Sequence, residues 1–278
     1  MEKSFWEKMQ AIDRRIIFLF VAIGVIVPLV VELKLGVSVT NRVKNIYNKI
    51  ESLPERSHIL IAADFDPSAA PELYPMLESV LNHCFRKNHK VIVATLWPGG
   101  VGLIKKSLDE QSKEYDRVKE EDYAFLGFKT GGTAVVLSMG QDMKKTFPEV
   151  DNKPYIDIPV LKGVDKLADI SYAVAISAGS PGIDNWVIYG SEKYGFEIGG
   201  GCTGVMATQY FPYLQAKQLN GLMGGLKGAA EYEMLVGRQE TGSAVKRMDP
   251  QAVTHIIIIA FIILGNIAYF STRKTNKS

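Results

Sequence analysis

Two long apolar runs bracket the chain, and between them short apolar bursts alternate with polar stretches at helical spacing. The first run, residues 16–31 (IIFLFVAIGVIVPLVV), carries no charge. As a helix it covers roughly 24 Å, close to the hydrocarbon thickness of a bilayer. Arg14 and Arg15 precede it, and Glu32 and Lys34 follow it, so long side chains can reach the headgroups and make up the missing length. Pro28 kinks such a helix without forbidding it. A cleaved signal peptide is the competing reading, but no small-x-small site follows and the apolar core is longer than a usual signal core. The second run, residues 253–270 (VTHIIIIAFIILGNIAYF), ends in Tyr269 and Phe270, which suit an interfacial position. The pattern thus predicts transmembrane helices over 16–34 and 253–270, with short tails at 1–15 and 271–278.

Connectors over 35–57 and 241–252 then enclose a domain at 58–240. Residues 58–63 (HILIAA) form a continuous apolar burst, as a strand covered on both faces requires. Leu73, Met76, Leu77, Val80, Leu81, Cys84 and Phe85 recur three and four apart and predict a helix, with Pro71 in its first turn. Residues 91–96 (VIVATL) supply the next strand, completing a βαβ unit. The alternation continues with a helix over 101–115, strands over 123–128, 133–138 and 172–177, and a helix over 183–194. A strand restarting at 196–198, a helix over 209–219 and a closing helix over 226–236 complete it. Residues 147–165, with three prolines, read as an irregular excursion. The fold class expected is α/β: a mostly parallel Rossmann-like sheet with helices on both faces, flanked by N- and C-terminal transmembrane helices.

Charge narrows the functions. Lysine and arginine total 32 against 30 acidic residues over 278 residues, and a net +2 offers no field for nucleic acid. The two cysteines, Cys84 and Cys202, lack the spacing of a redox pair or a zinc site and read as buried apolar groups. Arg14, Arg15, Arg273 and Lys274 flank the spans on the terminal side, which favours cytoplasmic termini and a domain outside. Arg42, Lys44, Lys49, Lys246 and Arg247 pull the other way. His255 and Asn266 interrupt the second span on nearly one face, a pattern that marks helix pairing within the chain or between subunits.

In open parallel sheets, ligands gather beyond the carboxyl ends of the strands. Asp64 and Asp66 follow the first strand, and Trp97 to Gly100 the second. Gly131, Gly132 and Thr133 follow the third, Ser177 and Ser180 a later one, and Gly199, Gly200 and Thr203 the next. Glycines and hydroxyls on such a rim can hold an anion on backbone amides, with Asp64 and Asp66 as acid, base or ligands to a divalent ion. Tight turns and helix capping explain the same residues without a ligand. The chain has no Walker A, nucleophile-elbow or H-E-x-x-H motif, and no cofactor is implied. Asp64 and Asp66 superficially resemble the nucleophile pair of haloacid-dehalogenase-type phosphatases, but Pro67-Ser68 replaces the usual continuation. The string from Gly224 to Glu233 (GGLKGAAEYE) is the most distinctive. In it Lys227 either contacts an anion or pairs with Glu231, four residues on.

Asp122-Tyr123, Phe125 to Lys129, Gly131-Gly132, the Gly224–Glu233 string and two terminal spans together resemble an uncharacterised family of prokaryotic two-span membrane proteins with a Rossmann-like domain. The resemblance implies the organisation and carries no activity. The function expected is a membrane-anchored module that oligomerises or joins other membrane subunits and binds a small anionic ligand. The alternative is a membrane-tethered hydrolase or transferase acting on a phosphate-bearing substrate.

Overall fold

In the computed structural model, which describes residues 5–31, 33 and 36–275, the chain divides into two compact units: residues 1–36 with 246–278, and residues 37–245. The first unit begins with α1 (Phe5–Gln10) and α2 (Arg14–Val30), the latter capped by Asp13, whose carboxylate accepts from the Arg15 amide at 2.9 Å. Glu32 and Lys34, expected to flank the first span, lie outside the described residues.

The second unit opens on α3 (Asn41–Ser52), which buries Val43, Ile46 and Ile50. The expected connector is therefore in large part a packed helix. Its three-and-four spacing is present in the sequence, but Arg42, Lys44, Asn45, Asn48 and Lys49 between those positions make the stretch read as a polar linker.

The alternation then runs β1 (His58–Asp64), α4 (Ala70–Arg86), β2 (Lys90–Thr95), α5 (Val101–Glu114), β3 (Tyr123–Phe128), α6 (Thr133–Gln141) and α7 (Met143–Thr146). A small hairpin of β4 (Glu149–Val150) and β5 (Lys153–Pro154) interrupts it before β6 (Tyr172–Ser177). There follow α8 (Ile183–Trp186), a π-turn (Val187–Ser191), α9 (Glu192–Tyr194), β7 (Ile198–Cys202), α10 (Phe211–Gln215), β8 (Leu222–Gly224) and α11 (Gly225–Leu235).

Six strands make one sheet in the order β3-β2-β1-β6-β7-β8, every pairing parallel. With the hairpin set aside, this is the Rossmann order, and the strand order reverses between β1 and β6. Alternate residues serve opposite faces. Leu60, Ala62, Ile92, Ala94, Ala173 and Ala175 share a core cluster with Val136, Met139, Ile183 and Trp186. Their neighbours Ile59, Ile61, Val91, Val93 and Val174 are equally buried, on the side where α4 meets β2, β6 and β7.

Three expectations are corrected. Residues 133–138 are helical: Gly131 and Gly132 turn the chain at φ 127° and 52°, and Val135, Val136 and Met139 are then buried at helical spacing. A six-residue apolar run does not distinguish strand from helix by periodicity alone. The helix expected over 209–219 is only the short α10. Gly199 and Gly200, expected in a rim loop, lie inside β7 and are buried. A Cβ on Gly199 would stand 2.5 Å from Tyr172 Oη and 2.9 Å from Ile46 Cγ1, and one on Gly201 3.0 Å from Met76 Sδ. These glycines let neighbouring side chains lie close against the sheet.

The last helix, α12 (Ser243–Thr275), begins well before residue 253, so most of the expected second connector is helix, with Pro250 inside it. Within the first unit, Gly24 of α2 packs on Ile257 and Val253 of α12, and the Phe20 and Phe261 rings meet edge-on at 5.7 Å. Among the described residues one helix is long and apolar enough to cross a membrane, over Ser243–Arg273. The N-terminal helix α2, at 17 residues, is shorter, and it ends at Val30.

Candidate functional site

The reversal of strand order sets the loops after β1 and β6 side by side, and hydrogen bonds join them to the neighbouring loops. Asp64 closes β1 with its carboxylate fully buried: Oδ1 accepts from the Leu96 amide at 2.6 Å and Oδ2 from the Trp186 indole at 2.8 Å. Its backbone carbonyl accepts from the Ala178 amide at 3.1 Å. One residue thus ties the ends of β1, β2 and β6 to α8. Burial pushes the carboxyl up to about 7, against the opposing pull of the N–H donors from Leu96 and Trp186. Asp66 is half-buried and turned back on its own loop, accepting from Ser68 N at 2.9 Å and Ser68 Oγ at 2.5 Å. Those bonds hold it below the usual carboxylate range. The two aspartates therefore do not converge on one point.

Trp97, after β2, donates its indole N–H to the Pro181 carbonyl at 2.8 Å and lies on Gly179, where a Cβ would meet the ring at 3.2 Å. Ser177 is buried and donates to the Gly179 carbonyl at 2.8 Å, while Ser180 is exposed. Thr133 accepts from Asn185 Nδ2 at 2.6 Å, and Asn185 Oδ1 accepts from Gly182 N at 3.0 Å, so α6 is joined to the β6 loop. Gly132 faces Pro181 across the same gap. Of the residues expected on the rim, the structure gathers Asp64, Gly131, Gly132, Thr133, Ser177 and Ser180. Thr203 follows β7, beside Gly204, whose amide donates to Glu72 at 2.8 Å. Gly199 and Gly200 stand apart inside the sheet. Among the described residues, no group of three or more His, Cys, Asp or Glu side chains is placed to hold a metal ion.

Lys227 lies on α11, where it pairs with Glu231 and donates to the Ser38 carbonyl at 3.3 Å. Glu231 is buried and also accepts from Thr40 N at 2.7 Å and Thr40 Oγ1 at 2.6 Å. Two residues further on, Glu233 accepts from the Ala244 amide at 3.1 Å and the Val245 amide at 2.8 Å, capping the start of α12. Burial raises the Glu233 carboxyl, and the amides of Val245 and Ala244 oppose that rise. The string from Gly224 to Glu233 thus fastens both ends of the second unit, residues 38–40 and 244–245, to one helix. Nothing in the sequence links Glu231 to Thr40, which lies 191 positions away.

A further titratable cluster sits in the helix layer. His83 is buried, stacked on Tyr47 at 4.5 Å, with Nδ1 2.8 Å from Tyr232 Oη and Nε2 3.1 Å from Glu51. Burial and the Arg86 charge push it down to about 4, so the neutral ring donates to Glu51 and accepts from the tyrosine. Glu51 also pairs with Arg86 and Lys87. The cysteines Cys84 and Cys202 are buried free thiols. No protein family matches the chain, and no curated protein or solved structure is significantly similar to it.

Proposed function

We propose that this chain is a membrane-anchored α/β module whose work is assembly, through copies of itself or other membrane subunits, in a prokaryotic cell membrane. In this reading α2 and α12 both span the bilayer, the termini are cytoplasmic and the α/β domain lies outside. One observation carries it: α11 uses two buried glutamates to fix the segments through which the domain joins its anchors, Glu231 on Thr40 and Glu233 on Ala244 and Val245. Such carboxylates hold position well because each of their hydrogen bonds is charge-assisted. The engaged state of Asp64 and Asp66 also supports a non-catalytic rim. Native mass spectrometry of the chain, extracted gently from its own membrane, tests the proposal. A defined oligomer or co-purifying membrane subunits support it; a monomer without partners refutes it.

A second reading, a tethered hydrolase or transferase acting on a phosphate-bearing substrate, is favoured by the place of Asp64 beside the reversal of strand order and by a carboxyl that exchanges its proton near neutral pH. The glycine loop at Gly131 and Gly132 would present amides to the anion. A retained phosphate ester in the same spectrum supports this reading, and full turnover by Asp64→Asn refutes it.

A further inference from the structure

Helix α12 carries three polar side chains, Thr254, His255 and Asn266, within its apolar stretch, and the structure shows which way the last two face. The side of α12 that meets α2 is defined by Val253 and Ile257 against Gly24 and by Phe261 against Phe20. At about 100° per residue, Asn266 stands about 180° around the helix from Ile257, and His255 about 160°. Both are exposed. Ala252, His255, Ile259, Ile262, Asn266 and Tyr269 follow one another at alternating steps of three and four. That is the a/d repeat of a helix-pairing seam. Ile259 and Ile262 are 55% and 57% exposed among the described residues, whereas Tyr269, at the far end of the seam, borders a cavity that Met9, Ile12 and Ile17 also line.

From this geometry we infer that the seam is the contact between two copies of the chain, whose α12 helices pair in parallel about a two-fold axis normal to the membrane. The inference rests on the reading that α12 spans a bilayer. The parallel arrangement follows because every copy inserts the same way, so each seam residue meets its own equivalent. Asn266 suits that meeting. Its carboxamide offers donor and acceptor together, and two such groups facing each other satisfy both. Within its own helix one amide hydrogen reaches only the Ile262 carbonyl, at 2.9 Å. Left against lipid, the rest of the group stays unsatisfied in a medium that offers no partner. A two-fold contact covers it and places the His255 side chains near each other three turns away.

Variants of the full chain with one cysteine added to the buried thiols of Cys84 and Cys202, oxidised in the native membrane beside the unsubstituted chain, test the seam. Cross-linked dimers are expected from Ile259→Cys, Ile262→Cys and Asn266→Cys, and not from Ile263→Cys, which lies on a flank of the helix. Asn266→Leu, extracted in mild detergent, should form dimers about tenfold more weakly while remaining membrane-bound. Alkaline extraction of the same membranes separates the two levels of failure. Release of the chain by alkali overturns both the spanning reading and the seam. A retained chain that cross-links equally at Ile263→Cys, or at none of the four positions, overturns the seam alone.

Discussion

Asp64→Asn is the most informative single substitution. The asparagine keeps one carbonyl acceptor for the Leu96 amide but presents an NH2 group to the Trp186 indole N–H, or the reverse if the amide is flipped. One buried N–H then loses its acceptor, which costs about 1–3 kcal/mol. Against this stands the wild-type charge. The Asp64 carboxyl titrates at about 7 in the folded chain, against an ordinary aspartate value of 3.8 once the chain unfolds. Between those values the folded state holds the extra proton, so the stabilisation is full below the lower value and is lost as pH rises to the upper. The loss is about 1.4 kcal/mol per pH unit, or about 4 kcal/mol over the window. His83, pushed down to about 4, works the other way over part of the same range. Because it is common to both proteins, it cancels in the difference. Unfolding of the detergent-solubilised chain, followed by circular dichroism at several pH values, should therefore show a crossing. The variant is the less stable protein near pH 4, and the wild type loses that lead or falls behind by pH 8. A stability difference that stays constant across the range would refute the buried, proton-holding state of Asp64.

Glu233→Ala removes the acceptor for the Ala244 and Val245 amides at the start of α12 and should cost about 1–2 kcal/mol. Hydrogen exchange at those two amides should quicken, and unchanged exchange would show that the cap contributes nothing. Gly199→Ala forces a methyl group to within 2.5 Å of Tyr172 Oη and 2.9 Å of Ile46, so a loss of about 1–3 kcal/mol is expected. An unshifted melting curve would mean that α3 can move off β7 freely.

Much of the sheet was legible in the sequence. Continuous apolar bursts at β1, β2, β3 and β6, separated by amphipathic stretches such as α4, can be buried on two faces only in a parallel sheet under helices. The uncharged length of α12 likewise announced a helix suited to a membrane, because a charged face would have been needed against water. Local pattern failed where two structures share one signal. The run 133–138 fits strand or helix, and only the turn at Gly131 and Gly132 and the burial of Val135, Val136 and Met139 decide for helix. Three consecutive glycines read as a loop, yet in β7 they are the room that Tyr172, Ile46 and Met76 occupy. The candidate site was legible in position and not in state. Strand ends pointed to Asp64, but whether it meets solvent or is enclosed depends on Leu96 and on Trp186, 122 positions away. Likewise Lys227 and Glu231 were a visible pair, whereas their engagement with Ser38 and Thr40 required the chain ends to be brought together. Periodicity within a segment is set by the residues of that segment, so sequence alone determines it. The surroundings of a buried charge are set by contacts between distant segments, and only the tertiary structure decides them.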